Sequence, residues 1–218
     1  MTLSSYQAVT GLDQRGLFFL LREVVLIVKR IATATDDLER AIPNDPDRAW
    51  YSIHNFVVTT GNLSKLLWPH PPKWMKLADR ERHIRRGLVL RAILGVPPDS
   101  VLQDRGSRDY LEHYDEWLTD WAANEGKGSA ADLFVGPFEQ FKNMPPADVH
   151  RHYDPASKTL HYRDRTYRLD EVLAAVRFIE DKAKVYAYQI ANGSFTAEKI
   201  RRATEAKSRE EAEQSVTR

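Results

Sequence analysis

The 218-residue chain contains no cysteine. Disulfides, thiolate metal sites and cysteine nucleophiles are therefore excluded, and the absence suits a reducing cytosol. No sign of charge dominates. Lys and Arg number 32 and Asp and Glu 31, for a net charge of +1. Whole-chain electrostatics thus predicts neither a nucleic-acid nor a membrane partner, and only local patches remain. Long apolar runs are missing. The most apolar stretch, Leu17 to Val28, is interrupted by Arg22 and Glu23 and reads as a core helix too short to span a bilayer. The N-terminal "MTLSSYQAVTGLDQRG" lacks a basic region followed by an apolar run, so no secretory leader is expected. Gly-rich phosphate loops, a G-x-S-x-G elbow, H-E-x-x-H and kinase motifs are all absent. No cofactor is expected.

What is present suits a globular protein. Hydrophobic residues make up 42% and charged residues 29%. A chain of this length buries roughly 70% of its unfolded surface. Apolar residues from Leu17 to Ile42 recur at three- and four-residue steps, which predicts one long helix. Pro43 stops it, and Asp45 followed by Pro46 starts a second helix to about Trp68. A third spans Leu77 to Leu94, with Gly95 as a left-handed cap. A fourth runs from an N-cap at Ser107 to about Asn124. The texture then changes to alternating strands at Val149 to Tyr153, Thr159 to Tyr162 and Thr166 to Leu169. Asp170 caps a fifth helix that Gly193 ends. The expected fold is mainly α, an antiparallel helical bundle with a small antiparallel β-meander before its last long helix. Residues 1–125 form the bundle, 126–193 the meander and fifth helix of the same domain, and 194–218 a charged tail, a solvated helix or disordered.

Charge is distributed unevenly. Lys73 to Arg91 holds seven Lys or Arg against Asp79 and Glu81, whereas Asp109 to Glu125 holds six acids and no Lys or Arg. Pairing between helices is the simpler explanation. A basic groove that tracks a phosphate backbone is the functional one, with Arg82, Arg85 and Arg86 as RNA-binding candidates.

The stretch "SRDYLEHYDEW", Ser107 to Trp117, concentrates the chemistry. Arg108 is followed by the polar Asp109, and four residues separate the arginine from His113. This arrangement resembles the HEPN superfamily, whose catalytic members carry an arginine, a polar residue and a histidine after a four-to-six-residue spacer. "RDYLEHYDEWL" also looks like the "RN..EH.DE" pattern of a bacterial branch of that group. The resemblance covers about Leu17 to Asn124. It implies a metal-independent endoribonuclease, or a non-catalytic descendant, with Arg108 and His113 as the catalytic pair and Asp109 and Tyr114 as auxiliary residues. It also implies a homodimer with motifs facing across the interface, with RNA and an antitoxin-type protein as partners. Where toxins of the superfamily carry a tyrosine two positions after the histidine, this chain has Asp115.

The chemistry asks for specific geometry. His113 would transfer a proton at the 2′-hydroxyl or the leaving oxygen, while Arg108 would hold the phosphate through its fork of donors. Five positions along an ideal helix rotate a side chain by about 140°, so the pair converges only if the helix bends or a partner completes the site. The acids around His113 favour its imidazolium form. Arg48 and His54 form a second such pair, with five residues between, but inside a helix and with Ala49 after the arginine.

Other candidates were weighed. His113 with Asp109 or Glu116, and His54 from the second helix, would make a metal-binding bundle, yet the Glu-x-x-His pairs of di-iron bundles are missing. His54 reads better as an interior histidine. His150, His152 and His161 cluster in the meander, where an exposed sheet face is expected over a zinc site, so no metal is assigned. Trp117 and Trp121 form a ridge with His113 as the candidate dimer contact.

Overall fold

The structure is a computed structural model, and it describes residues 13–42, 44–124, 130–163 and 165–216. Asp13 opens the first helix, α1 (Gln14–Ala41), by accepting the Gly16 amide at 2.6 Å. Its three- and four-residue apolar spacing buries Leu17, Leu21, Val24, Val28, Ile31 and Leu38. Asp45 caps α2 (Pro46–Leu67), accepting the Arg48 amide at 3.0 Å. Pro46 supplies the fixed φ of a first turn. The third helix, α3 (Leu77–Leu94), ends at Gly95, whose φ of 65° is the left-handed conformation a helix stop favours.

The expected fourth helix is two helices. α4 (Gly106–Glu112) and α5 (Tyr114–Asn124) meet at His113, whose φ and ψ are −111° and 26°. Ser107 is not the cap: the helix begins at Gly106, and Asp104 accepts the Gly106 amide at 2.7 Å. The bend serves two tyrosines four residues apart. The Tyr110 hydroxyl donates to the His150 carbonyl and the Tyr114 hydroxyl to the Asp132 carboxylate, both at 3.0 Å.

The meander is present as β2 (His152–Asp154), β3 (Thr159–Tyr162) and β4 (Arg165–Arg168), antiparallel throughout. One strand was not foreseen. β1 (Phe134–Val135) pairs parallel with β2, Phe134 opposite His152 and Val135 opposite Tyr153, so the sheet is mixed, in the order β1-β2-β3-β4. Two residues are too few to show alternation in a sequence.

Two long helices follow, α6 (Leu169–Ala191) and α7 (Ala197–Val216). The charged tail is thus helical over Ala197–Val216, and it packs on α3 with Ala197, Ile200 and Lys207 buried. Arg91 of α3 is held there. Its guanidinium donates to Glu211 at 2.8 and 2.9 Å and to the Leu67 carbonyl, and it lies over the Trp68 ring.

The fold is mainly α, as expected, and it groups into two compact units. One holds the residues up to Lys29, Gly61–Gln103 and those from Ala175 on. The other holds Arg30–Thr60 and Asp104–Ala174. The acidic helices α4 and α5 thus fall in the same unit as the sheet. No helix among the described residues is long and apolar enough to cross a membrane.

Candidate active site and cleft

Arg108 lies in the first turns of α4, one and four residues before Asp109 and Glu112. The four-residue step puts the Glu112 carboxylate within reach along the helix surface. Its guanidinium pairs with Asp109 at 3.2 Å and with Glu112, and its side chain is only 12% exposed. His113 sits at the bend with its ring open to solvent. Its Nδ1 and the Glu116 carboxylate are 3.1 Å apart. The hydrogen bond with Glu116, and then that carboxylate's charge, hold the imidazole above its ordinary value of 6.5, with Asp109 and Glu112 adding to the effect.

A cleft of about 730 Å³ opens beside His113. One wall comes from α4 and α5 and carries Asp109, Glu116 and Asp120 with His113. Arg163, in the turn after β3, and Arg165, the first residue of β4, also line it. Tyr110, Trp117 and Tyr162 line it as well. The rings of Tyr110 and Tyr162 stack at 4.8 Å and are almost wholly buried, so they form a fixed floor. Trp117 is 40% exposed and offers the accessible ring.

The two arginines are positioned rather than left to chance. Arg163 has a left-handed φ of 54°, which bends the turn, and its amide donates to the Val149 carbonyl at 2.7 Å. Its guanidinium lies 5.5 Å from the centre of the Trp117 ring. Arg165 crosses Gly106 so closely that a Cβ there would stand 2.8 Å from its Nη1.

No family model, curated protein or solved structure matches the chain. The site's meaning thus rests on its own geometry.

Of the residues singled out from sequence, the cleft takes Asp109, His113, Glu116 and Trp117. Arg108 and Tyr114 are not among its lining residues. Tyr114 belongs to a separate polar cluster, where its hydroxyl meets Asp132 and Arg151 stacks 3.9 Å from its ring centre. Arg151 grips both oxygens of Asp132 at 2.8 and 2.6 Å. Burial alone would raise the Asp132 carboxyl, but the hydrogen bonds and charge of Arg151 bring it below the ordinary carboxylate value. Arg82, Arg85 and Arg86 lie on α3, in the other unit. Arg82 pairs with Asp79 at 3.1 Å, and burial lowers the pKa of Arg86.

Three other expectations change. His54 is exposed, so it is not an interior histidine. His150 and His152 are buried rather than displayed on an open sheet face. His152 faces His161 across β2 and β3 inside a nest of Phe134, Phe138 and Phe141. Burial pulls all three histidines below their ordinary value. Among the described residues no group of three or more His, Asp or Glu could hold a metal ion. Trp121 is also not a free ridge residue: its indole N–H donates to Asp148 at 2.9 Å and its ring packs on His150.

Sequence reasoning missed Arg163, Arg165, Tyr110, Tyr162 and Asp120 as cleft residues. The only signal was the turn "YRDR", which marks a reversal without showing that it faces α5.

Proposed function

We propose that the chain is a non-catalytic helical binding protein in which the Arg-Asp-x3-His motif is structural. One observation carries this reading. Arg108 is engaged by Asp109 and Glu112 of its own helix, while His113 lines a cleft with a different set of partners. To hold a phosphate, Arg108 would first have to break both ion pairs. The acids Asp109, Glu116 and Asp120 also repel a polyanion. In this reading the chain works in the cytoplasm as a HEPN-like homodimer, which sedimentation of the full chain tests.

A second reading keeps a metal-independent endoribonuclease, with RNA bound by Arg82, Arg85 and Arg86 and activity held by an antitoxin-type partner. What favours it is the exposed His113 in one cleft with Arg163 and Arg165, a proton donor sharing a cleft with two guanidiniums. Incubation of total RNA in EDTA with wild type and with His113→Ala separates the two. The expected result is no cleavage by either. Cleavage by wild type that vanishes in His113→Ala overturns the non-catalytic reading. Its survival in Arg108→Ala and loss in Arg163→Ala would then assign the cation to the β3–β4 turn.

A further inference from the structure

The link into α3 and the first turns of that helix expose large apolar side chains among basic ones. Trp74 is 85% exposed, Leu77 67% and Ile84 53%. Leu77 and Ile84 are seven residues apart in one helix, so they share a face. From Lys73 to Arg86 the chain carries six Lys or Arg against Asp79 and Glu81. Arg82 takes up Asp79 at 3.1 Å. Each of the three apolar residues has an exposed cation as its neighbour in sequence: Lys73 beside Trp74, Lys76 beside Leu77 and Arg85 beside Ile84.

This surface is braced from behind. The Met75 amide donates to the Pro72 carbonyl at 3.1 Å, which closes the turn that carries Lys73 and Trp74. Pro69, Pro71 and Pro72 restrict the backbone before it. Pro69 packs on α3 at Gly87, where a Cβ would clash with its ring. Trp74 is thus presented on a fixed turn, yet the fold buries almost none of it. An exposed cluster of large apolar side chains marks a surface that meets something else.

Charge complementarity asks for an anionic partner, and the apolar residues select among anions. RNA would meet the cations and stack on the Trp74 ring, but it offers Leu77 and Ile84 nothing apolar. An acidic helix needs a groove to lie in, whereas these side chains stand out in solvent. An anionic bilayer surface suits all of them. The Trp74 ring fits the headgroup level, Leu77 and Ile84 reach the acyl boundary, and the Lys and Arg side chains meet lipid phosphates. We propose that the Trp74–Ile84 surface docks the protein peripherally on anionic lipid. The docking is separate from the cleft at His113 and holds under either reading of that cleft.

The test is co-sedimentation of the full-length protein with vesicles of phosphatidylcholine, alone or with about 30 mol% phosphatidylglycerol. Binding is expected only to the anionic vesicles, and added salt should weaken it. Trp74→Ala should weaken it about tenfold, and the double change Lys73→Glu, Lys76→Glu should abolish it. Glu81→Lys removes the acid between Leu77 and Ile84 and should tighten binding, a gain that misfolding cannot produce. Vesicles with brominated acyl chains should quench the tryptophan fluorescence of wild type and not that of Trp74→Phe. A single-stranded RNA oligomer is the competing probe. RNA binding without vesicle binding overturns the proposal and assigns the surface to nucleic acid. Vesicle binding unchanged in Trp74→Ala also overturns it, since that is adsorption by charge alone. Equal quenching in wild type and Trp74→Phe, or no binding to the anionic vesicles, overturns it as well.

Discussion

His113 and His152 hold protons with opposite preference, and their surroundings explain why. His113 is in water beside Glu116, which favours the charged ring. Its folded pKa is raised, so its contribution to stability is full below about pH 6.5 and fades as pH rises through the folded value. NMR titration should place its midpoint above 6.5 and show a fall in Glu116→Gln. An unchanged midpoint would mean the pair does not form in solution. His152 is buried among phenylalanines, its Nε2 2.8 Å from the Gly136 carbonyl. Burial depresses its pKa against a smaller opposing effect of that hydrogen bond, and burial depresses His161 opposite it as well. The neutral forms are therefore the stable ones. Their contribution is present above about pH 6.5 and is lost as pH falls through the folded values. Thermal melts between pH 7 and 5 should show this loss. His152→Gln, which keeps a donor for Gly136 but cannot titrate, should shrink it. Sequence named the histidines but not these differences, since burial is set by residues far along the chain.

At the scale of elements, periodicity located the helices and could not see their breaks. The fourth helix reads as continuous because its apolar spacing is continuous, yet it bends at His113 so that Tyr110 and Tyr114 reach different partners. That bend, rather than the arginine–histidine spacing, decides what His113 faces. α7 gives a comparable lesson. Its composition is polar, and its attachment depends on a few residues. Removing Glu211 would leave the Arg91 guanidinium largely buried without its carboxylate. Glu211→Ala should cost about 2 to 3 kcal/mol in urea unfolding, between the values for exposed and fully buried pairs. A change near zero would show that water or the Leu67 carbonyl suffices for Arg91.

For the whole molecule, the two units draw on segments distant in sequence, and α1, α2 and α6 each contribute to both. No continuous stretch of chain corresponds to either. The last helix is therefore expected to be integral rather than an appendage. A chain ending at Ser194 should melt several degrees lower, because it loses the helix that packs on α3 and the burial of Ala197 and Ile200. Equal melting temperatures would show that α7 adds nothing to stability.

The sequence by itself determined the mainly α class, most helix ends and the antiparallel meander, because periodicity, prolines and caps act within a few residues. It also singled out the motif that carries the HEPN resemblance. Only the tertiary structure decided that Arg163 and Arg165 line one cleft with His113, and that Tyr110 and Tyr162 stack beside it. Those outcomes depend on which distant side chains share space, and local spacing encodes no such distance.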